Sequence, residues 1–454
     1  MEQRHQNPAR PADPGACLTG VLETLGLPAH AAPHVTGGPV FASPLAVGDC
    51  AVASVAACLA AAGELSAART GRRPHIALDT GHVAAVMRSE AHLRDAAGNG
   101  IGGFAPLSRL WPAADGWVRT HANYPWHRAA LLTALGVPDD PGPAIAALPA
   151  AEVERRVYAA GGLAVAARTA QQWRTEHPSS PPLVSIAPVA AGAAPVSFPP
   201  GPLPASGVRV LDLTRVIAGP AGTRMLAALG ADVLRVDDPN RPELPMHAVD
   251  GVIGKASTEI DATTVEGARL LHSLVDHADV VVTGYRPGAL RKLGLEPDQI
   301  AERHPGTIVA TLCAWGDTGP RAGRRGFDSL VQIATGIGWA TSPDGIRPGT
   351  LPCQMLDHAT GYLLAAGTLT ALAARARGGP AAHVSVSLAA TAAWLLDQPH
   401  PSGTDDAPPN TEEYRIPLGD GWTGISPPGL LDGHPLSWPD LPPRYGLAPA
   451  MFPH

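Results

Sequence analysis

Apolar residues after about residue 207 form short β-type runs that alternate with segments of helical period. The predicted strands are 208–213, 232–237, 279–284 and 307–313, and the predicted helices are 221–231 and 264–278. Strands that are separated by helices usually pair in parallel through right-handed crossovers. The pattern therefore predicts a doubly wound parallel α/β sheet over residues 207–398.

The first part of the chain has a different pattern, in which helical segments dominate. An Ala-rich helix follows Asp49, a β-type piece covers 75–79, and a strand with further helices is predicted within 111–176. We expect a smaller, mainly helical α+β domain at 111–176. The remaining predicted regions are an N-terminal helical segment at 1–110, a Pro-rich linker at 177–206 and a Pro/Gly-rich C-terminal strap at 399–454.

Two sequence elements occur twice. Asp49 aligns with Asp357 at an offset of 308, which places Arg69 on Arg377 and His75 on His383 without a gap. Both copies have the order Asp, Ala-rich helix, Arg-x-Gly turn, His and short strand. The tripeptide DGW occurs at Asp115 and again at Asp420. We interpret these pairs as one structural element used twice.

Composition and charge argue against several classes of function. The net charge of −7 and the scattered Lys and Arg residues argue against a nucleic-acid partner. Five cysteines without a CxxC pair fit a reducing compartment and disfavour a metal site, so no metal is predicted. The N-terminus has no apolar signal region, and the apolar run AVASVAACLAAAGEL is too short to span a bilayer. We expect a soluble cytoplasmic protein with no membrane partner.

Asp357 is the most conspicuous single residue, because it opens the apolar run LDHATGYLLAAGTLTALAAR. A carboxylate at the start of a helix is commonly a plain N-cap, and spacing alone favours that role. The loop TRVIAGPAG (214–222) leaves the first predicted strand of the sheet at its carboxyl end. Ligands of such sheets bind at that end, and glycines permit close approach of the backbone to a phosphate or pantetheine group.

Five phrases of the second half resemble the family III CoA-transferases, which include formyl-CoA transferases, carnitine CoA-transferases and 2-methylacyl-CoA racemases. In order they are RVLDLTRVIAGPAGTRMLAALGADVLRVDDP, GKASTEID, ADVVVTGYRPGALRKLGL, WGDTGPRAGRRGFDSLVQ and LDHATGYLLAAGTLTALAAR. They span residues 207 to about 398. Five ordered phrases are far more specific than one glycine motif. The resemblance implies that the doubly wound domain is a Rossmann-like CoA-binding domain.

The resemblance also assigns roles to residues. Asp357 corresponds to the family's nucleophile, which forms an acyl anhydride and then a CoA thioester. We expect backbone N–H groups and the helix dipole to keep Asp357 ionised. Val216, Ile217 and Ala218 correspond to the loop that lines the pantetheine. Residues near the nucleotide part of coenzyme A are Lys255, Tyr285, Arg286 and Lys292, although each is equally consistent with an ordinary surface residue.

Three departures from the family refine the expectation. The racemases carry a His before the Asp of a G-H-D phrase, and here Phe327 stands at that position, which favours transfer over racemisation. Arg215 and Ile217 replace polar residues of the oxalate-using enzymes, so oxalate is a poor substrate prediction. His121 and His127 are spaced wrongly for one helical face, but they are candidates for lining a substrate pocket.

The largest departure is the order of the segments, because the fuller DGW module precedes the CoA-binding half instead of following it. The chain therefore resembles a permuted family member, in which Asp49 is a relic of the nucleophile position or a second nucleophile; we favour the relic. The prediction is a CoA-transferase that moves CoA between an acyl-CoA and a carboxylic acid. We expect no permanently bound cofactor, coenzyme A as part of the acyl-CoA substrate, and a homodimer. The alternatives are a 2-methylacyl-CoA racemase-like isomerase and a non-catalytic CoA-binding homologue.

Overall fold

A computed structural model describes residues 14–179, 181–189, 198–401 and 410–453. Its centre is a seven-stranded sheet, parallel except for one antiparallel edge strand. The strands in spatial order are Ser185–Pro188 (antiparallel), Ala382–Ser387, Ile308–Cys313, Val280–Thr283, Arg209–Leu213, Asp232–Asp237 and Ala256–Glu259. The predicted α/β fold class, with a large and mostly parallel sheet, is confirmed.

The direction of the strand order reverses between Arg209–Leu213 and Val280–Thr283. From the first strand the chain proceeds outward to Asp232–Asp237, and from the second it proceeds outward the other way to Ile308–Cys313. Loops leave neighbouring strands in opposite directions at such a point and open a crevice at their carboxyl ends. The crevice lies between the loop after Leu213 and the loop after Thr283.

Both faces of the large sheet are buried, as expected for parallel strands. Val210, Val280 and Val282 belong to one apolar core, whereas Leu211 and Val281, on the alternate positions, belong to the other. The helices of the sheet-bearing half are Ala218–Ala228, Pro245–Asp250, Val265–Asp276, Pro297–Arg303, Asp328–Thr335, Ile337–Ala340, Met355–Ala376 and Leu388–Asp397.

The helix Met355–Ala376 packs along the N-terminal helix Val47–Thr70. These two helices begin 308 positions apart, at residues 47 and 355, and each is followed by a strand, Ile76–Asp79 and Ala382–Ser387. The repeated sequence element therefore forms the same local structure twice. Val47–Thr70 is long and apolar enough to cross a membrane, contrary to the prediction from its apolar run, but 89% of its most apolar 18 residues are buried inside the protein.

A smaller unit holds the first DGW. Its three antiparallel strands are Leu110–Ala113, Gly116–Thr120 and Ala164–Ala166, and its helices are Pro125–Leu135, Gly142–Ala146 and Ala150–Ala159. Trp111, Val118 and Ile145 lie in its separate apolar core. Asp115 lies in the turn between the first two of these strands. Asp420 lies in the turn of a second antiparallel hairpin, Arg415–Gly419 and Trp422–Ile425.

Short elements make up the rest of the described structure. The remaining helices are Pro14–Thr24, Thr80–Val86, Ser89–His92 and Ala170–Glu176, and the short 3-10 helices are Ala29–Ala31, Arg291–Leu293 and Glu412–Tyr414. A further sheet consists of His34–Thr36, Ile76–Asp79, Leu430–Leu431 and His434–Pro435. The segment predicted as a linker contributes the edge strand Ser185–Pro188, while its residues 180 and 190–197 lie outside the described residues. The domain boundaries themselves stay a prediction.

Candidate active site

Asp357 is a buried carboxyl group at a junction of two cavities. It is the third residue of the helix Met355–Ala376, whose N-cap is Gln354, so it is not an N-cap. Its residue is only 7% exposed, yet it lines a cavity of 510 Å³ on one side and a cavity of 740 Å³ on the other. Within the described residues no hydrogen bond reaches its carboxyl group, which faces the cavities. A buried carboxyl group without partners is expensive to maintain, which is typical of a functional group.

Two other carboxyl groups surround Asp357. Burial first, and then the negative charges of Asp328 and Glu90, raise the pKa of Asp357 well above its usual value. Burial also raises the pKa of Asp328 to about 6, although Asp328 accepts a hydrogen bond from the Asp357 backbone N–H at 3.1 Å. The expectation that the helix N-terminus keeps Asp357 ionised is therefore wrong, because desolvation and like charges outweigh the dipole.

Glu90 comes from the N-terminal half of the chain and is anchored by the residue next to Asp357. Its carboxylate lies 2.9 Å from Nε2 of His358, a fully buried ring. Glu90 also lines the larger cavity together with Asp328 and Asp357. The two halves of the chain therefore complete one site between them.

The loop after Leu213 approaches Asp357 from the large sheet. Val216 lines both cavities and has a φ of 69°, a left-handed conformation that is strained for a β-branched residue. Its backbone N–H donates to Oε2 of Glu243 at 3.0 Å. Burial opposes ionisation of Glu243, but the guanidinium groups of Arg215 and Arg235 outweigh it and lower the pKa of Glu243 to about 2. The charged Glu243 thus holds the strained loop in place.

Close helix packing sets the distance between this loop and Asp357. The helix Ala218–Ala228 begins directly after the loop and crosses the helix of Asp357 at a pair of glycines, Gly222 and Gly361. A Cβ atom added to Gly222 would lie 2.5 Å from the Gly361 carbonyl oxygen, closer than real Cβ atoms are found. Only glycine at these positions allows the two backbones to approach this closely.

The 510 Å³ cavity is rich in arginine and lies at the crevice of the large sheet. Arg241, Arg286 and Arg325 line it, and none of the three has a carboxylate partner within the described chain. Burial and the neighbouring charges of Arg286 and Arg241 lower the pKa of Arg325. Arg241 also lies over the ring of Trp126, 4.9 Å from its centroid. Unpaired, mutually repelling guanidinium groups form a binding site for an anion with several charges.

Five of the predicted binding residues are near these cavities and two are not. Val216, Ala218, Tyr285 and Arg286 line the arginine-rich cavity, and Ile217 lines the larger one. Lys255 is instead fully buried, where its Nζ donates to Asp212 at 2.9 Å and burial lowers its pKa to about 8. Lys292 lies on the exposed turn Arg291–Leu293, outside the residues that line either cavity.

Both histidines that were candidates for lining a substrate pocket, His121 and His127, lie at the site. The ring of His121 stacks on Phe327, with centroids 3.7 Å apart, and His127 lines the arginine-rich cavity. Burial lowers the pKa of each, so both rings are neutral near pH 7. An imidazole therefore lies beside the position where the racemase phrase has its histidine, but it comes from the small unit.

Sequence reasoning missed Glu90, Glu243, Arg241 and Arg325. The run RAGRRG before Phe327 was a usable signal for Arg325, since three arginines in six residues are unusual in this chain. No comparable signal marks Glu90 or Glu243. Across the described residues, no group of three or more His, Cys, Asp or Glu side chains is arranged to hold a metal ion.

Comparison with known proteins gives the following matches. Residues 205–416 match the family model of CoA-transferase family III. The chain is 38% identical over 209 residues to a probable fatty acyl-CoA transferase of Mycobacterium tuberculosis, a match that covers 43% of this chain and 52% of the relative. It is 32% identical to an (R)-2-hydroxy-4-methylpentanoate CoA-transferase of Clostridioides difficile, covering 41% of this chain and 51% of the relative.

Solved structures match the same share of the chain. A crystal structure of the M. tuberculosis protein is 36% identical and covers 43% of this chain and 56% of that one, with a TM-score of 0.40. A CaiB/BaiF family protein from Brucella suis is 27% identical, with coverages of 48% and 65% and a TM-score of 0.38. The chain thus spans about half the length of the curated relatives that it matches.

Proposed function

Residues 205–416 resemble CoA-transferase family III, and from this premise we propose that the chain transfers CoA between an acyl-CoA and a carboxylic acid. The observation that carries the proposal is the position of Asp357. It is a buried carboxyl group without a hydrogen-bond partner among the described residues, and it lies between an arginine-rich cavity and a second, larger one. A thioester in that position has its phosphates near the arginines and its carbonyl carbon near the carboxylate.

The proposed reaction has two half-reactions. A carboxylate oxygen of Asp357 attacks the thioester carbon, the C–S bond breaks, and CoA leaves as the thiolate. The thiolate then attacks the aspartyl carbonyl of the anhydride, the C–O bond to the acyl group's carboxylate breaks, and the donor acid is released. The acceptor acid repeats these steps in reverse and leaves as the new acyl-CoA. No metal or redox step is needed, because every bond that breaks releases a stable anion.

The residues around Asp357 bind the acyl-CoA and position its thioester. Arg241, Arg286 and Arg325 bind the phosphates of coenzyme A, and Val216 to Ala218 line the pantetheine arm. We do not place Lys255 or Lys292 in the CoA site, since one is buried in an ion pair and the other lines neither cavity. Because the pKa of Asp357 is raised, its carboxyl group must lose a proton before it can attack. The neighbouring carboxyl groups contribute to that pKa, and they therefore influence the pH dependence of transfer.

The test is a transfer assay in which an isotope-labelled free acid is incubated with an unlabelled acyl-CoA donor. The measured quantity is the label that appears in the new acyl-CoA. We expect transfer by the parent and its loss in Asp357→Asn. Arg286→Gln should raise KM for the donor with little change in kcat, because it removes a contact that ground state and transition state share. Lys292→Gln is the matched control and should leave KM unchanged. Transfer at the parental rate by Asp357→Asn would refute the proposed role of Asp357.

A second candidate function is favoured by His121, whose ring lies against Phe327 at the edge of the larger cavity. A neutral imidazole opposite a carboxyl group is suited to move a proton at the α-carbon of an acyl-CoA. Incubation of a 2-methylacyl-CoA in heavy water without any acceptor acid distinguishes the two functions. Deuterium at the α-carbon would support the isomerase, and no incorporation is expected of the transferase.

A further inference from the structure

We propose that the 740 Å³ cavity receives the acyl group, and that it selects an uncharged, apolar acyl chain against a dicarboxylic one. This inference rests on the proposed transfer at Asp357 and adds the substrate class. The two cavities share Val216, Phe327 and Asp357, and they open from this shared wall in different directions. A thioester that places its CoA part among the arginines therefore extends its acyl part into the larger cavity.

Apolar side chains form much of the wall of the larger cavity. The side chains that an acyl chain would contact are Ile101, Phe104, Ile217, Leu244, Met246 and Phe327. The loop of Gly102 rests directly on Met246, since a Cβ atom on Gly102, whose φ is 101°, would lie 2.8 Å from Met246 Cβ. This contact adds a packed apolar surface to the wall that an acyl chain would touch.

Carboxyl groups are the most numerous titratable groups of the same cavity. Glu90, Asp328 and Asp357 contribute three carboxyl groups, while burial keeps His121 and His247 neutral. A second carboxylate at the far end of an acyl chain would lose hydration against the apolar wall and would find no neutralising charge on these carboxyl groups or on the two neutral histidines.

Two guanidinium groups lie near the cavity. Arg94 lines it, and its Nη1 donates to the carbonyl oxygens of Ala91 and Leu93, while no carboxylate pairs with it among the described residues. Arg119 lies over the ring of Phe104, 4.7 Å from its centroid, and does not belong to the residues that line the cavity. The apolar wall therefore favours an uncharged acyl chain, and Arg94 is the lining cation that a second carboxylate would have to reach.

The first test compares acyl-CoA donors that differ in chain length or in charge, each with the same acceptor acid. We expect kcat/KM to rise from acetyl-CoA through butyryl-CoA to hexanoyl-CoA, by up to about fourfold for each methylene that leaves water. Succinyl-CoA, which has the same number of acyl carbons as butyryl-CoA but a carboxylate in place of its terminal methyl group, should be at least about tenfold poorer. Equal or better use of succinyl-CoA would overturn the inference. Loss of that activity in Arg94→Gln would then identify Arg94, which lines the cavity, as the carboxylate-binding residue.

Two variants test the wall itself. Ile101→Lys adds a cation at a partly exposed position and should raise the ratio of succinyl-CoA to butyryl-CoA use at least about tenfold. Met246→Trp should lower the ratio of hexanoyl-CoA to acetyl-CoA use, and Met451→Trp, at an exposed position, is its control. Unchanged ratios in both cavity variants would contradict the assignment of this cavity.

A binding measurement separates failure of this inference from failure of the proposed function. Calorimetric titration of Asp357→Asn with butyryl-CoA and succinyl-CoA reports the cavity without any reaction. Tighter binding of butyryl-CoA supports the acyl cavity even if the parent transfers nothing, in which case only the transferase function is lost. Tighter binding of succinyl-CoA overturns the cavity inference even if the parent is an active transferase.

Discussion

The glycine contact between the helix Ala218–Ala228 and the helix of Asp357 gives a prediction whose magnitude follows from the structure. In Gly222→Ala the new Cβ would lie 2.5 Å from the Gly361 carbonyl oxygen, whereas real Cβ atoms are essentially never within 3.0 Å of such an atom. The two helices must therefore separate by at least about 0.5 Å, because the backbone fixes the position of Cβ, the oxygen belongs to the backbone, and no side-chain rotation relieves the overlap.

The expected cost has two parts. Alanine in place of a helix glycine stabilises by about 0.5–1 kcal/mol, and overpacking in a buried contact destabilises by about 1–3 kcal/mol. Gly20→Ala measures the first part alone, because Gly20 lies within the helix Pro14–Thr24 and its added Cβ would have no neighbour within 4 Å. Gly222→Ala should be less stable than Gly20→Ala by about 1–3 kcal/mol.

The assay is urea unfolding followed by circular dichroism, with the transition midpoint as the readout. Transfer activity of Gly222→Ala should also fall, by about tenfold or more, because the loop of Val216 moves relative to Asp357. Equal midpoints for the two variants, with parental activity in Gly222→Ala, would refute the argument that this contact positions the site.

Three further predictions follow from the charges around the site. The acid limb of kcat/KM against pH should shift to lower pH in Glu90→Gln, since Glu90 contributes to the raised pKa of Asp357; an unshifted limb would contradict this coupling. Glu243→Gln should lower the free energy of unfolding at pH 7 by about 3 kcal/mol. Because the pKa of Glu243 falls to about 2 on folding, this difference should be complete above about pH 4.5 and vanish as pH falls towards 2. A constant difference over that range would show that lost packing, not lost charge, explains the cost. Asp49→Asn should keep parental transfer activity while Asp357→Asn loses it; joint loss would mean that Asp49 is a second nucleophile.

The large sheet was predictable because its central strands carry continuous β-branched runs. Val280–Thr283, with three valines in succession, is buried on both faces, as such runs indicate. The edge strands were harder. Ser185–Pro188 stands in a Pro-rich segment that has the composition of a linker, and Ala256–Glu259 has a polar, short sequence. Their pairing is decided by the neighbouring strands and not by their own sequence.

The position of Asp357 in a cleft was foreseen through the resemblance, but its chemical environment was not. Glu90 precedes it by more than 260 residues, and tertiary packing between the two halves, above all of the helix Val47–Thr70 along the helix of Asp357, brings the two residues together. The arginine-rich cavity has the same origin. Arg241 and Arg325 follow different strands of the large sheet, and the reversal of strand order places both at one crevice.

The central claim is that a carboxylate oxygen of Asp357 bonds to the substrate during transfer. Intact-mass spectrometry after incubation with butyryl-CoA, followed by hydroxylamine trapping and peptide mapping, measures this directly. The account predicts a covalent adduct that maps to Asp357 and is absent from Asp357→Asn. An adduct that persists in Asp357→Asn, or rapid transfer with the label on another residue, would contradict it.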